Sequence, residues 1–161
     1  MYKIRIVLDS KQDVIRTILV TENITLEELH TTICKAFGFG GQEMASFYRT
    51  DYEWNQGEEI PLFNMEDAGI GLSMSSCVLK ETLPIMNDKL IYLYDFLNMW
   101  TFYVELIEII DKEDQGLPKI VLTIGEIPAE APEKEFKSEN SNEAFEEEEE
   151  SDDYDDLYND F

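Results

Sequence analysis

The sequence predicts an α+β domain: a mainly antiparallel sheet carrying one principal helix, in the order β-β-α-β followed by β-β-β. Three observations carry this reading. Residues 2–8 alternate apolar and polar with period two, the signature of a half-buried strand, and 14–20 read as a second strand antiparallel to it. Residues 25–37 have both a helix start and a helix stop. Residues 89–110, KLIYLYDFLNMWTFYVELIEII, form a dense aromatic and apolar run that reads as two strands joined near Asn98.

Taken in order, the first strand places Tyr2, Ile4, Ile6 and Leu8 on one face, and Asp9–Gln12 turns the chain into an antiparallel second strand. Thr25 and Glu28 have the T-x-x-E spacing of a capping box, and Ile24 and Leu29 the spacing of a hydrophobic staple. Leu26, Leu29, Ile33 and Phe37 then fall on one helical stripe, and Gly38 supplies the left-handed stop. A third strand is expected over 45–54, a loop at Asn55-Gln56-Gly57 and a short strand at 59–63. Residues 64–77 read as an irregular connection, and 77–83 as one or two helical turns stopped by Pro84. The two central strands, 89–96 and 99–110, follow; Gly116-Leu117-Pro118 then turns the chain into a last strand at 119–124. We expect the folded domain to span 1–128 and residues 129–161 to be an acidic, disordered tail, because that segment has no core-forming period.

A chain of 161 residues suffices for one domain with its own core. Its 12 Lys and Arg against 36 Asp and Glu give a net charge of −24. From Glu126 onward there are 16 acids and 2 lysines, net −14, which leaves −10 for residues 1–125. Nucleic-acid binding requires basic side chains that displace counterions, so this field excludes direct nucleic-acid binding and opposes anionic membrane. The favoured partner is a basic or groove-bearing protein. The N-terminus lacks the apolar core of a signal peptide, and no apolar run approaches the roughly 20 residues of a membrane span. Cys34 and Cys77 are too few for a disulfide scaffold, so a cytoplasmic protein is expected.

His30, the single histidine, sits beside Leu29 at the edge of the apolar stripe, within reach of Tyr94 or Asp95. Catalysis there would require an acid or base partner and a nucleophile; a boundary histidine bonded to backbone or carboxylate is the plain alternative. One histidine and two distant cysteines make no zinc set, so no metal and no cofactor is expected. Phe37-Gly38-Phe39-Gly40-Gly41 follows a helix, which suits a helix stop rather than a phosphate loop. Asp51, Glu53, Glu58 and Glu59 lack calcium-loop spacing and read as solvated edge charge. Asp95, Asn98 and Trp100 gather at the hairpin end, where a carboxylate, an amide and an indole suit a small polar ligand or peptide. They equally suit a turn and a core cap. With His30 and Tyr94 they form the first candidate binding patch. In the tail, Tyr154, Leu157, Tyr158 and Phe161 fall at i, i+3, i+4 and i+7 among aspartates, the spacing of a helix docking in a groove. A merely solubilising tail is the alternative.

Two resemblances add to this. The strand-strand-helix-strand opening resembles that of a β-grasp fold. More closely, Ile15-Arg16, Ile18-Leu19-Val20, Thr25-Leu26, Leu29-His30, Ile33 and Phe37-Gly38-Phe39, with Lys89-Leu90-Ile91-Tyr92, Tyr94-Asp95-Phe96 and Trp100, resemble the plasmid pRiA open-reading-frame-three-like family over residues 2–128. Many relatives read Y-D-F-G-D-x-W-x-H, where this chain has Leu97, Asn98 and Phe102. The similarity is greatest to a branch with F-L-N-M-W, a G-E-x-P segment (here Gly125 to Pro128) and an acidic tail. The resemblance implies a fold and no established activity. Three functions therefore stand: a non-enzymatic interaction module with an acidic recruiting tail; a small-molecule binder or enzyme using the His30, Asp95 and Trp100 patch; and a nucleic-acid mimic acting on a DNA-binding protein.

Overall fold

The structure is a computed structural model and describes residues 1–64, 71–112 and 114–133. The strands β1 (Tyr2–Leu8) and β2 (Ile15–Val20) form the opening hairpin, with Tyr2 opposite Val20 and Val7 opposite Ile15. Helix α1 (Leu26–Phe37) follows. Thr25 Oγ1 accepts the Glu28 amide at 3.1 Å, and the Glu28 carboxylate accepts the Thr25 amide at 2.9 Å, so both halves of the capping box form. Gly38 closes the helix at φ 81°, left-handed backbone that glycine adopts without cost.

The strands β3 (Ala45–Thr50) and β4 (Gln56–Pro61) form a second hairpin that turns earlier than the sequence suggests. Asp51 Oδ1 accepts the amides of Glu53 and Asn55, and Asp51 Oδ2 accepts the Asn55 side-chain amide. This knot ends β3 at Thr50, so Gln56 and Gly57 become strand rather than loop. A 3₁₀ turn at Met74–Ser76 and the short α2 (Leu79–Thr82) precede β5 (Lys89–Tyr94), β6 (Trp100–Ile109) and β7 (Lys119–Ile124).

All seven strands join one sheet in the order β4-β3-β5-β6-β1-β2-β7, and every pairing is antiparallel. The aromatic stretch is thus the sheet centre, with β6 in the fourth place of seven. One face carries the core. Ile4, Ile6, Phe47, Tyr92, Phe102 and Val104 are buried there with the helical stripe Leu26, Leu29, Ile33 and Phe37. Ile127 and Ala131 also pack on this core, so the chain after β7 returns to it.

Among the described residues the opposite face has no helix. Across it, register aligns Tyr48, Ile91, Tyr103, Val7, Ile15 and Ile124 in one row. The β3–β4 turn folds over part of that row. Trp54 meets Tyr103 edge-on at 4.9 Å, and the Lys89 ammonium lies 5.1 Å from the Tyr52 ring centre and 5.4 Å from that of Trp54. Among the described residues no helix is long and apolar enough to cross a membrane.

Candidate functional site

His30 lies one residue past Leu29 on α1, and the helix turns it onto the sheet rather than along its edge. The ring is buried, and its Nδ1 shares a hydrogen bond of 2.6 Å with the Tyr92 hydroxyl on β5. Cys34, one turn further along α1, completes the group: its Sγ is 3.5 Å from Tyr92 Oη and 3.8 Å from His30 Nδ1. Burial holds the His30 pKa below its ordinary value. It pushes the Cys34 thiol up, against the opposing effect of the Tyr92 hydrogen bond. It pushes the Tyr92 phenol far up as well, reinforced by Cys34 and Tyr94. At neutral pH the three are a neutral imidazole, a thiol and a phenol. A thiol held above its usual pKa supplies little nucleophilic thiolate. The trio joins His30 Nδ1, the Tyr92 hydroxyl and the Cys34 thiol to one another inside the core and has the chemistry of a structural cluster.

Tyr94 lies near His30, with ring centres 6.4 Å apart, but its hydroxyl accepts the Gly41 amide at 3.1 Å. Its ring stacks on Phe39 at 4.6 Å, and Phe39 in turn meets Trp100 at 5.2 Å. Trp100 is buried, so the indole caps the core. Asp95 does something different. At φ 65° it starts the β5–β6 turn, its carboxylate accepting the Leu97 amide at 3.2 Å and the Asn98 side-chain amide at 2.6 Å. Asp95 and Asn98 are therefore engaged with each other. His30, Tyr94 and Trp100 gather under α1, while Asp95 and Asn98 sit in an exposed turn whose Leu97 is 94% exposed. Phe102 is fully buried in the aromatic core. The tail residues Tyr154, Leu157, Tyr158 and Phe161 lie outside the described residues.

Of four surface clefts lined by described residues, none is lined by His30, Tyr94, Asp95, Asn98 or Trp100. The most apolar, of about 270 Å³, lies between Thr31 and Thr32 of α1 and Leu117 and Pro118 ahead of β7. No group of three or more metal-ligating side chains gathers among the described residues.

Two residues outside the predicted patch bear on it. Cys34 is four residues from His30, so the i, i+4 rule already put the two on one helical face. Tyr92 is two residues from Tyr94 and shares its sheet face. What the spacing could not supply was which sheet residue would stand beneath the helix. Arg16 was legible only as part of a motif. It is buried, and its guanidinium donates to the carbonyls of Ile15, Ala36, Ile124 and Gly125 at 2.9–3.1 Å while lying 4.9 Å from the Phe37 ring centre. It ties α1, β2 and the end of β7 together.

Compared with known proteins, residues 1–160 match the sequence profile of the plasmid pRiA4b ORF-3-like protein family. Among solved structures, the chain is similar to a protein of unknown function from Methanosarcina mazei Go1, at 22% identity and a TM-score of 0.59. That likeness covers 83% of this chain and 73% of the other, and concerns the fold alone. No curated protein matches the chain.

Proposed function

This chain belongs to the plasmid pRiA4b ORF-3-like protein family, and from that premise we propose that it is a non-enzymatic protein-interaction module whose acidic surface and tail take a basic or groove-bearing partner. One observation carries the preference over an enzyme: the only histidine is enclosed in the core with Tyr92 and Cys34. Asp95, its supposed partner, accepts hydrogen bonds from its own turn instead. General acid–base catalysis needs a titrating group within reach of a substrate, and that pairing offers none. The excess of acid over base, −10 in residues 1–125 and −14 beyond, supports a positively charged partner. We take the cytoplasm as its compartment, because Cys34 and Cys77 are both free thiols.

The test is capture by the full-length chain and by a full-length variant carrying Y154A, L157A, Y158A and F161A. Both are cross-linked in lysate of a host carrying the gene, and bound proteins are quantified. The proposal requires a basic protein retained by the natural chain and depleted at least tenfold by the variant. Equal retention would remove the tail from the function. Retention that tracks only salt concentration, with no dependence on the four apolar residues, would favour the nucleic-acid mimic.

A further inference from the structure

The two edges of the sheet are built differently. β4 presents Glu58, Glu59 and Pro61, with Glu58 paired to Arg49 at 3.0 Å. Charge and proline are the usual protection of an edge strand against further pairing. β7 reads KIVLTI, with its one charge, Lys119, at the first residue and five uncharged residues after it. Ile120, Val121, Leu122 and Ile124 are each 40–47% exposed, and all six residues of the strand are exposed. Leu122 and Ile124 stand opposite Thr17 and Ile15, which places Ile124 at the end of the apolar row on the helix-free face. On the helix side, the apolar cleft at the start of β7 is lined by Val20, Ile24, Leu117 and Pro118 and walled by α1. The hydroxyls of Thr31 and Thr32 on that wall donate to the carbonyls of Glu27 and Glu28, which leaves them only acceptor capacity toward a ligand. An exposed edge strand, with an apolar cleft at its start to take a side chain, is an arrangement in which extended peptides add as an extra strand.

Charge identifies the occupant. Glu28 lines the helix-side cleft, while in the neighbouring cleft at the start of β7 the carboxylates Glu22, Asp111 and Asp114 outnumber Lys112 and the Met1 ammonium, which lies 3.8 Å from Glu22. Glu126 and Asp13 flank the strand's other end, where Gly125 packs on the Asp13 carbonyl. Within the strand the one charge is Lys119, already paired with Asp114 at 2.9 Å. A second copy of the chain would bring its own acidic rim against this one, and so would the chain's acidic tail. We propose that β7 and the cleft beside α1 form a strand-addition site for an extended segment of a partner protein in which apolar residues alternate with Lys or Arg. This rests on the reading of the protein as a module for basic partners, and it adds to the tail a second contact on the folded domain.

The probe is a nine-residue peptide alternating lysine and valine, titrated into the full-length, isotope-labelled chain, with Kd and amide shifts read by NMR. Expected are shifts concentrated at residues 117–124 and on Thr31 and Thr32, and slowed amide exchange along β7. Affinity should fall at least tenfold in the exposed-surface variant I120Q/L122Q and at least threefold in E126K. Peptides alternating glutamate with valine, or lysine with serine, should bind at least tenfold more weakly. Shifts confined to the acidic tail, or affinity unchanged in I120Q/L122Q, would overturn strand addition while leaving the basic-partner reading intact. No binding of the lysine–valine peptide would also overturn it. So would a concentration-dependent dimer that protects the β7 amides without peptide.

Discussion

The Tyr92 hydroxyl and His30 Nδ1 meet at 2.6 Å across the interface between the sheet and α1, both side chains buried. That bond decides what the only histidine does. Replacing one partner of a buried pair leaves the other without its hydrogen bond, a penalty of about 1–3 kcal/mol. Tyr92→Phe removes the hydroxyl and little volume, so it should lower unfolding free energy by about that amount in urea denaturation, with the m-value unchanged. Loss below about 0.5 kcal/mol would mean that the imidazole finds another partner.

The same bond sets a pH dependence. Burial holds the folded-state pKa of His30 below its ordinary value of 6.5, so the unfolded chain takes up the proton first as pH falls. The contribution of neutral His30 is therefore fully present above about pH 6.5 and is lost as pH falls below it toward the folded pKa. Stability measured from pH 7.5 to 5 should fall more steeply in the natural chain than in His30→Gln. The difference in slope should not exceed about 1.4 kcal/mol per pH unit, the limit for one proton. With one histidine, its ring resonance can also be followed directly by NMR. An apparent pKa at or above 6.5 would contradict the enclosure.

Arg16 bridges four carbonyls with a planar fork, which a lysine ammonium cannot reproduce. Arg16→Lys should cost about 2–4 kcal/mol, since it strands buried acceptors on α1 and β7 together. Hydrogen exchange should localise the damage: amides of β7 should open before those of β1 and β6. Uniform loss of protection would instead make Arg16 a support of the whole core.

Gly125 sits at φ 74°, and a Cβ there would meet the Asp13 carbonyl oxygen at 2.1 Å. Neither the backbone nor the neighbour accepts a side chain, so Gly125→Ala should cost about 2–4 kcal/mol by thermal or urea denaturation. Gly40→Ala is the control: nothing lies within 4 Å of its added Cβ, and its effect should stay within about 0.5 kcal/mol.

Much of the fold was legible because its signals are local. The alternation of Tyr2, Ile4, Ile6 and Leu8 needs only the strand period to place four side chains on one face, and all four are buried. Thr25, Glu28 and Gly38 define the helix by hydrogen bonds within a few residues, and each acts as its spacing implies. The β3–β4 turn was misplaced because Asp51 closes it with its side chain, which competed with an apparently continuous strand pattern ending at Trp54.

The sequence by itself determined the element types, the aromatic centre of the sheet, the charge and the family. Each depends on composition or on residues near one another in the chain. Only the tertiary structure decided that His30 faces Tyr92 and Cys34 while Asp95 bonds within its own turn. It alone also decided that β7 becomes an exposed outer strand. Both outcomes depend on pairing order, in which strands far apart in sequence become neighbours: β6 lies beside β1, and β7 beside β2. Periodicity fixes which residues share a face. It cannot say what the face will be packed against.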